Sequence, residues 1–466
     1  MARGTTRGDE GRGPSLRRRS GALSETTPGH DSQALVARRG WRSAGATLAP
    51  VTIAEPRPDT VGRFTALRVR NFRLFFLGQF VSVIGNWMQT VALAALVLDH
   101  LDRGGTVLGL VTAMLYTPVI VLGPLGGLAT DRFSKWRIVL TTQISFAVVV
   151  GLLGVLVITD RVTLMSVMIL AAAQGAINAF DNPARQTLVH EMVGGELLTN
   201  AVGLNMLAMN TARVIGPAVA GLLLFVTSIG TLFVLNGLSF LGAVIALAAM
   251  RRNELQPSRK LPREPGMIRA GVRYAKGEPT IRTALLMLVV VGGLSYNFPV
   301  VLPVLAKQTF HMSKEAYGTF FSTMGIGAIA FALVSKTRTA PTTRSLTIGT
   351  AALGASLTML SLSPTRLVVY LLLPFLGAAS LNFLVLMNST LQLRSVAEMR
   401  GRVMSLYTMA LLGTTPVGAL LVGWIAERFS ARAAMAVGGI ASILAAGWAR
   451  NRFDPESIHT APAVTI

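Results

Sequence analysis

Long stretches without a single charged residue recur along most of this chain. They lie between residues 74 and 449, and most of them contain 19 to 27 residues. A helix needs about 20 apolar residues to cross the hydrocarbon core of a bilayer, where all of its backbone amides must be paired within the segment. Charged residues make up 14% of the sequence, whereas a soluble protein has about 25%. The chain is therefore expected to be an all-α membrane protein.

One of the charge-free stretches, residues 214–250, is too long for a single span. Read together with residues 197–212, it predicts two helices, roughly 200–226 and 231–250, with Arg213 inside the first. The other stretches each predict one span. The sequence thus predicts twelve transmembrane helices.

The distribution of basic residues tests this count. If both termini are cytoplasmic, the predicted inner segments hold 35 of the 43 lysines and arginines, and the outer segments hold 7. An excess of basic residues in cytoplasmic loops is the rule for such proteins. The net charge of +22 is therefore interpreted as membrane topology and not as a nucleic-acid surface.

The one long internal basic segment, residues 251–282, divides the predicted helices into six and six. This is the layout of two pseudo-symmetric six-helix bundles. Within the segment, apolar residues alternate with Arg and Lys, as is typical of an amphipathic helix on an anionic membrane surface. The predicted organisation is a basic, largely disordered cytoplasmic tail (1–73), an N-terminal bundle (74–250), the cytoplasmic linker (251–282), a C-terminal bundle (283–449) and a cytoplasmic tail (450–466).

Several classes of protein are excluded by what the sequence lacks. It contains no cysteine, which excludes disulfides and thiolate metal sites. The dipeptide Gly-Lys is absent, and with it the Walker A loop, which ends in Gly-Lys-Ser/Thr. The predicted spans hold no cluster of His, Asp and Glu to bind a metal or to act as acid and base. The chain is not expected to be an enzyme or to carry a cofactor.

The clearest motif follows the second predicted span and reads Gly127-Leu-Ala-Thr-Asp131-Arg132-Phe-Ser-Lys135-Trp-Arg137. Gly123 and Gly127 would let another helix approach closely. Asp131 would lie at the membrane edge, where it can accept hydrogen bonds from a helix N-terminus or a basic side chain. The three basic residues of the motif would form a cytoplasmic anchor. An ordinary turn that follows the positive-inside rule is the alternative.

This segment resembles the signature between the second and third helices of the major facilitator superfamily, with Ser134 where a second glycine is usual. The resemblance extends over residues 64–450 and implies the major facilitator fold. Residues 70–79 and 181–186 are similar to a subgroup that contains enterobactin-type siderophore exporters and macrolide efflux proteins. In the superfamily the signature aspartate pairs across the inner gate. The resemblance implies Arg185 as the partner of Asp131.

A second motif, on the fifth predicted span, runs from Arg213 to Gly221 and includes Gly216, Pro217 and Ala220. Proline removes a helix hydrogen bond, and the small residues let a neighbour pack tightly. The motif resembles the fifth-helix signature of superfamily antiporters, which is associated with exporters, with Ala220 in place of a glycine. A proline-kinked packing helix of any transporter is the alternative. Arg213 is either a buried charge with a role or a side chain that reaches the inner interface.

No Asp or Glu lies in the middle of a predicted span, so proton coupling through an intramembrane carboxylate has no obvious carrier. Asp99 and Asp131, at span ends, are the candidates for protonation. The resemblance implies that the first and seventh helices line a central cavity. The substrate-binding candidates are polar residues within spans: Asn86, Gln89, Tyr116, Tyr296 and Asn297. Hydrogen bonding between helices is the alternative for each.

Together, the residues and the resemblance predict a secondary active transporter in the inner membrane of a bacterium. It would export a hydrophobic or siderophore-like small molecule by alternating access, driven by the proton motive force through proton antiport. Its partners would be the small-molecule substrate and membrane lipids, with no nucleic acid, and it would act as a monomer. A metabolite importer of the same fold and a non-transporting membrane scaffold or receptor are the alternatives.

Overall fold

The computed structural model describes residues 62, 64–256, 267–335 and 341–453. These residues form α-helices joined by short turns. The predictions for residues 1–61, for the centre of the linker and for the tail from residue 454 lie outside the described residues. The predicted disordered tail, however, extends too far. A 3-10 turn at Thr65–Arg68 precedes the first helix, which begins at residue 70, and Ala66 and Phe72 are fully buried.

The N-terminal half consists of five long helices. They are α1 (Arg70–Ala95), α2 (Gly105–Arg132), α3 (Lys135–Ile158), α4 (Leu164–Val226) and α5 (Ile229–Ala248). A π turn at Leu96–His100 follows α1. α4 has 63 residues and one non-helical position, Gly194 with φ 69°. Glycine adopts this left-handed conformation without the steric cost that other residues meet.

The middle of α4 corrects a prediction. The fourth span is predicted to end at residue 180, with a connecting segment at 181–199. The structure has helix on both sides of Gly194 instead, and Asp181 lies inside it, fully buried. The first charge after an apolar run does not end a helix when the surrounding protein supplies partners for that charge.

The C-terminal half contains more helices, and most of them are shorter. They are α6 (Met267–Gly277), α7 (Pro279–Leu294), α8 (Phe298–Val304), α9 (Glu315–Val334), α10 (Thr343–Ser361), α11 (Arg366–Arg394), α12 (Ala397–Gly413), α13 (Thr415–Arg428) and α14 (Ala431–Arg450). A π turn at Leu305–Thr309 follows α8. Two predicted spans are interrupted, the seventh at residues 295–297 and the eleventh at Thr414.

Ten helical segments of the described chain are long and apolar enough to cross a membrane. Large apolar side chains stay exposed on them, including Leu152, Ile169, Phe375 and Leu444 on four different helices. Apolar surface of this extent is poorly solvated by water and well solvated by lipid. The all-α architecture predicted from the charge-free stretches is confirmed.

Glycines bring the helices of each half close together. Gly154 of α3 and Gly230 of α5 face each other, so that a Cβ atom on either would crowd the backbone of the other helix. Gly354 of α10 and Gly439 of α14 make the equivalent contact in the C-terminal half. Small residues allow this close approach in lipid, where no hydrophobic effect drives helices together.

The two halves meet through two helix pairs, α2 with α13 and α4 with α9. Gly105 of α2 lies against Gly423 of α13, and Gly318 of α9 lies against the last turns of α4. Both contacts are near the end of the molecule that carries the turn between α1 and α2. We call this the Asp99 end, and we call the opposite end, with the turn between α2 and α3, the Asp131 end.

The first part of the linker is attached to the N-terminal half. Asn71 Nδ2 donates to Arg251 O (2.9 Å), and Arg251 N donates back to Asn71 Oδ1 (3.0 Å). Gln256 N donates to Glu191 O of α4 (2.8 Å). These bonds hold residues 251–256 beside α1 and α4.

The last part of the linker, α6, is attached to the C-terminal half. Val396 N donates to Tyr274 Oη (3.3 Å), and Gly271 lies against Arg402 of α12. The amphipathic helix predicted for a membrane surface therefore has a protein neighbour on one face.

Candidate functional site

The signature segment forms the turn between α2 and α3 at the Asp131 end. Asp131 and Arg132 end α2 and are exposed, as is Arg137 in the first turn of α3. Lys135 differs, since it is largely buried and its Nζ lies 3.3 Å from Glu191 Oε1 of α4. The predicted anchor therefore combines two exposed cations with one that ties α3 to α4.

The glycine that brings α2 close to a neighbour is not the one predicted. A Cβ on Gly123 would meet open space, and Gly127 is half-buried. The close contact is at Gly126, where a Cβ would overlap the carbonyl oxygen of Ala179 on α4. A spacing of four residues identifies a helix face but does not say which face meets a neighbour.

Asp181 is a buried carboxylate that the sequence analysis did not select. It accepts hydrogen bonds from Thr142 Oγ1 (2.6 Å) and Gln143 Nε2 (3.0 Å) of α3, and it forms an ion pair with Arg185 one turn along α4. A buried charge needs such a set of partners. Arg185 is thus engaged with Asp181, and its pairing with Asp131 stays a prediction. The spacing of four between Asp181 and Arg185 is the signal that could have identified the pair.

Gln89 is not in the predicted position on the cavity wall. Its Nε2 donates to Gln174 Oε1 of α4 (2.7 Å), and its Oε1 accepts from Asn236 Nδ2 of α5 (2.5 Å). Three buried amides from three helices of one half thus satisfy one another. Helix packing, the alternative considered for Gln89, is what the structure contains.

Tyr296 and Asn297 lie at the interruption between α7 and α8. Asn297 is buried, and its Nδ2 donates to Gly293 O of the preceding turn (2.7 Å). This bond caps the broken helix, and a role of Asn297 in substrate binding stays a prediction. Tyr296 is half-buried, and its hydroxyl donates to Ser380 O of α11 (2.6 Å).

Arg213 of α4 contacts the residue that follows another candidate, Asn86. Its guanidinium lies over the ring of Trp87 on α1, 5.0 Å from the centroid. We call Arg213 and Trp87 the Arg213 cluster. Tyr116 of α2 is half-buried. Asn86, next to Trp87, is exposed.

The fifth-helix motif supplies packing contacts with both halves. A Cβ on Gly216 would crowd Trp87 Cβ at 2.5 Å, and one on Gly221 would meet Glu315 O of α9 at 3.0 Å. Ala220 is fully buried between these contacts, and Pro217 is buried in the same helix. The tight packing expected from the small residues is present, and the association with export stays a prediction.

A polar contact joins the two halves at the Asp99 end. Lys307, in the π turn after α8, lies 3.7 Å from Asp99 Oδ1 and 3.4 Å from Asp102 Oδ1, and its Nζ donates to Leu98 O. Tyr317 Oη of α9 donates to Asp99 Oδ2 (2.8 Å). We call this arrangement the Asp99–Lys307 latch. Asp99 and Lys307 lie in the two π turns, and such turns are frequent at functional sites.

A second acidic residue reinforces this closure. Glu427 Oε2 of α13 accepts a hydrogen bond from Thr106 N (2.8 Å), at the N-terminus of α2. A helix N-terminus favours a negative charge. His100, beside the latch, lies 3.5 Å from Asp160 of the turn after α3.

The chain matches a family model described as transmembrane secretion effector over residues 61–460. The staphyloferrin A transporter of Staphylococcus aureus is 26% identical over 56% of this chain and 66% of that transporter, just under two thirds of its length. The multidrug efflux pump Tap of Mycolicibacterium fortuitum is 25% identical over 74% of this chain and 86% of the pump. The enterobactin exporter EntS of Citrobacter koseri is 23% identical over 80% of this chain and 89% of the exporter.

A solved structure is similar in fold. It is a bacterial homologue of the human lysosomal transporter Spinster in an inward-facing and unoccupied conformation, with a TM-score of 0.68 and 13% identity. The match covers 86% of this chain and 100% of that chain.

Proposed function

The chain belongs to the transmembrane secretion effector family of the major facilitator superfamily, and from this premise we propose that it exports a hydrophobic or siderophore-like small molecule by alternating access. Members of this superfamily are transporters, so the protein is a multi-pass transporter of the bacterial inner membrane and not an enzyme. The staphyloferrin A transporter, Tap and EntS are named for siderophores or drugs. These names support the cargo class, and those of Tap and EntS, an efflux pump and an exporter, support the outward direction.

The proposed transporter has twelve spans with both termini in the cytoplasm. At about 1.5 Å per residue, the 63 residues of α4 would extend to about 95 Å, roughly three times the hydrocarbon thickness. The left-handed Gly194 supports dividing it into two spans. α10, with 19 residues, supplies a further one. The excess of basic residues in the segments at the Asp131 end supports a cytoplasmic position for that end.

The observation that carries the proposal is the Asp99–Lys307 latch, because it joins the two halves at the Asp99 end. The glycine contacts between α2 and α13 and between α4 and α9 lie near the same end. A transporter that alternates must break such contacts and close the Asp131 end instead. The described arrangement therefore fits the state that is closed on the outer side.

Proton coupling is proposed to act through the latch, with no cofactor. Asp99 holds Lys307 only while its carboxylate is ionised, since a neutral carboxyl group cannot form an ion pair. A proton that reaches Asp99 from outside would weaken the latch and favour opening of the outer side. Asp99 would then be the group whose protonation couples transport to the proton motive force, in a chain whose predicted spans lack a central carboxylate.

The test is efflux from cells that express the full chain, measured with a labelled catechol siderophore and a labelled lipophilic cation. We expect wild-type cells to expel at least one probe, and a protonophore to stop the efflux. Lys307→Gln should lower the efflux rate about tenfold or more, because the loss of about 1.4 kcal/mol from one conformation shifts its population tenfold. Lys314→Gln, at the same end and outside the latch, is the matched control.

Two outcomes would replace the proposal. Accumulation of a probe inside the cells, dependent on the protein, would mean that it is an importer. Absence of flux of both probes and of other small molecules, from a protein that is folded and present in the membrane, would support a scaffold or receptor. Equal effects of Lys307→Gln and Lys314→Gln would remove the latch from the mechanism.

A further inference from the structure

Arg213 lies deep in the membrane-spanning part of α4. It precedes the end of the helix at Val226 by 13 residues, which is about 20 Å at 1.5 Å per residue. Its sequence neighbours contact both halves, since Gly216 lies against Trp87 of α1 and Ser322 Oγ of α9 donates to Val214 O (3.2 Å). Arg213 is therefore on the strip of α4 that runs between α1 and α9.

The direction of the side chain follows from its ring contact. The guanidinium lies over the ring of Trp87 on α1, the first helix of the N-terminal half. The next residue along α4, Val214, is bonded through its carbonyl oxygen to Ser322 of α9 in the C-terminal half. The Arg213 cluster thus lies beside the contact between the two halves.

The charge of Arg213 has no counter-charge in the described part of the chain. Among the described residues it forms no ion pair and no hydrogen bond, and its Nε is buried without a partner. Its contact is the ring of Trp87. A cation at membrane depth normally has a partner and a role, because an unpaired charge there is costly.

Two other partly buried arginines, Arg185 and Arg432, also have an unpartnered buried Nε, but a terminal nitrogen of each guanidinium is bonded. Arg185 is paired with the carboxylate of Asp181. Arg432 lies over the ring of Phe310 at 5.6 Å, much as Arg213 lies over Trp87, but its Nη2 donates to Ser363 O (2.6 Å). Of the three, Arg213 is the one whose guanidinium is left for a ligand.

We propose that Arg213 binds an anionic oxygen group of the cargo, a carboxylate or a phenolate, and that the ring of Trp87 holds the aromatic or apolar part beside it. A guanidinium presents a planar set of donors that suits such oxygens, and aromatic faces suit a planar ring. This inference rests on the proposed function and narrows the cargo to amphipathic anions. Lipophilic cations, which many efflux proteins take, would be repelled.

The test is direct binding to the purified full chain in lipid nanodiscs, by calorimetry. The probes are 2,3-dihydroxybenzoate, its neutral amide 2,3-dihydroxybenzamide, and tetraphenylphosphonium. We expect wild type to bind the anion about tenfold or more tighter than the amide, the range of a charge-assisted hydrogen bond. Arg213→Gln should abolish that preference while the affinity for the amide is unchanged. Arg213→Lys, which keeps the positive charge but not the planar donor set of the guanidinium, should retain part of the preference for the anion.

Arg432→Gln is the matched control, because it removes a similarly buried arginine from over an aromatic ring and should leave the preference intact. If Arg213→Gln does not fold, the comparison of Arg213→Lys with Arg432→Lys decides, since only the first should weaken anion binding. An unchanged preference in the Arg213 variants, an equal loss in the Arg432 variants, or tighter binding of tetraphenylphosphonium would overturn the inference.

The inference and the proposed function can fail separately. Efflux of the lipophilic cation alone, with no selective binding of the anion, would leave the exporter proposal intact and remove the anion site. Selective binding of the anion through Arg213 without any outward flux would establish the site and remove the exporter proposal.

Discussion

The two halves of the molecule repeat their packing but not their buried polar groups. The contact of Gly154 with Gly230 and that of Gly354 with Gly439 are equivalent. In the N-terminal half, however, two buried polar sets join different helices: the Asp181 carboxylate with Thr142 and Gln143 of α3, and the amides of Gln89, Gln174 and Asn236 with one another. In the described C-terminal half the buried polar side chains are hydroxyl groups and one amide, that of Asn297.

The helices of the two halves also differ in how continuous they are. Those of the N-terminal half are continuous apart from Gly194, whereas the C-terminal half is interrupted at residues 295–297 and at Thr414. Helix ends and short loops are where conformational changes are absorbed. The comparison indicates that glycine contacts pack the helices of both halves. Polar networks hold the helices of the N-terminal half in place, and interruptions let the helices of the C-terminal half change conformation.

The largest expected effect is on the polar network of the N-terminal half. Asp181→Ala should lower the free energy of unfolding by about 3–5 kcal/mol, because it leaves Arg185 without its counter-charge in a partly buried position. Unfolding by SDS titration in detergent micelles measures this. Glu254→Ala, which removes an exposed ion pair with Arg251, is the control and should cost less than about 1 kcal/mol. Equal losses in the two variants would mean that the network does not fix this half.

The glycine contacts should matter equally in both halves. Gly230→Ala and Gly439→Ala each place a Cβ against the backbone of a facing helix, and each should cost about 1–3 kcal/mol through overpacking. Gly447→Ala, where a Cβ meets open space, should cause no loss. The same unfolding titration applies, and a large difference between the first two variants would contradict a shared scaffold.

The smallest expected effect is the difference in stability between losing a buried amide contact and losing a buried hydroxyl contact. Gln89→Leu should cost about 1–3 kcal/mol, because Gln174 and Asn236 are left with unpaired buried amides. In the C-terminal half, Ser442 Oγ is hydrogen-bonded to Ser295 Oγ (2.7 Å). Ser442→Ala removes this bond and should cost only about 0.5–1.5 kcal/mol, since Ser295 Oγ keeps its bond to Gly438 O (2.7 Å). Thermal unfolding of the two variants side by side tests this order, and the reverse order would end the distinction between the halves.

Much of the fold could be predicted because the bilayer imposes a condition on each segment separately. A charge-free stretch of sufficient length is a span whatever its neighbours are, so most helices lie where they were expected. The division of α4 was misplaced because the rule ends a span at the first charge. Asp181 does not end the helix because its charge is bonded to partners on α3. No local sequence pattern reveals those partners.

The site was harder to predict because its residues are far apart in the sequence and come together only in the fold. Gln89 was assigned to a cavity because it is a polar residue of the first helix, which the resemblance places along that cavity; this does not say which neighbour its side chain meets. Lys307 lies more than 200 positions from Asp99 in the chain, and Glu427 is 321 positions from Thr106. Arg213 could be selected from the sequence alone, because a charge inside an apolar run is conspicuous without any knowledge of its surroundings.

The attachment of the linker at both ends has a consequence for the amplitude of motion. Gln256 is held by the N-terminal half and α6 by the C-terminal half, with eleven peptide steps between Gln256 and Met267. At no more than about 3.6 Å per residue, that connection spans up to about 40 Å. Chain length alone therefore allows the two attachment points to lie up to that distance apart. Any tighter limit on their separation has to be non-covalent.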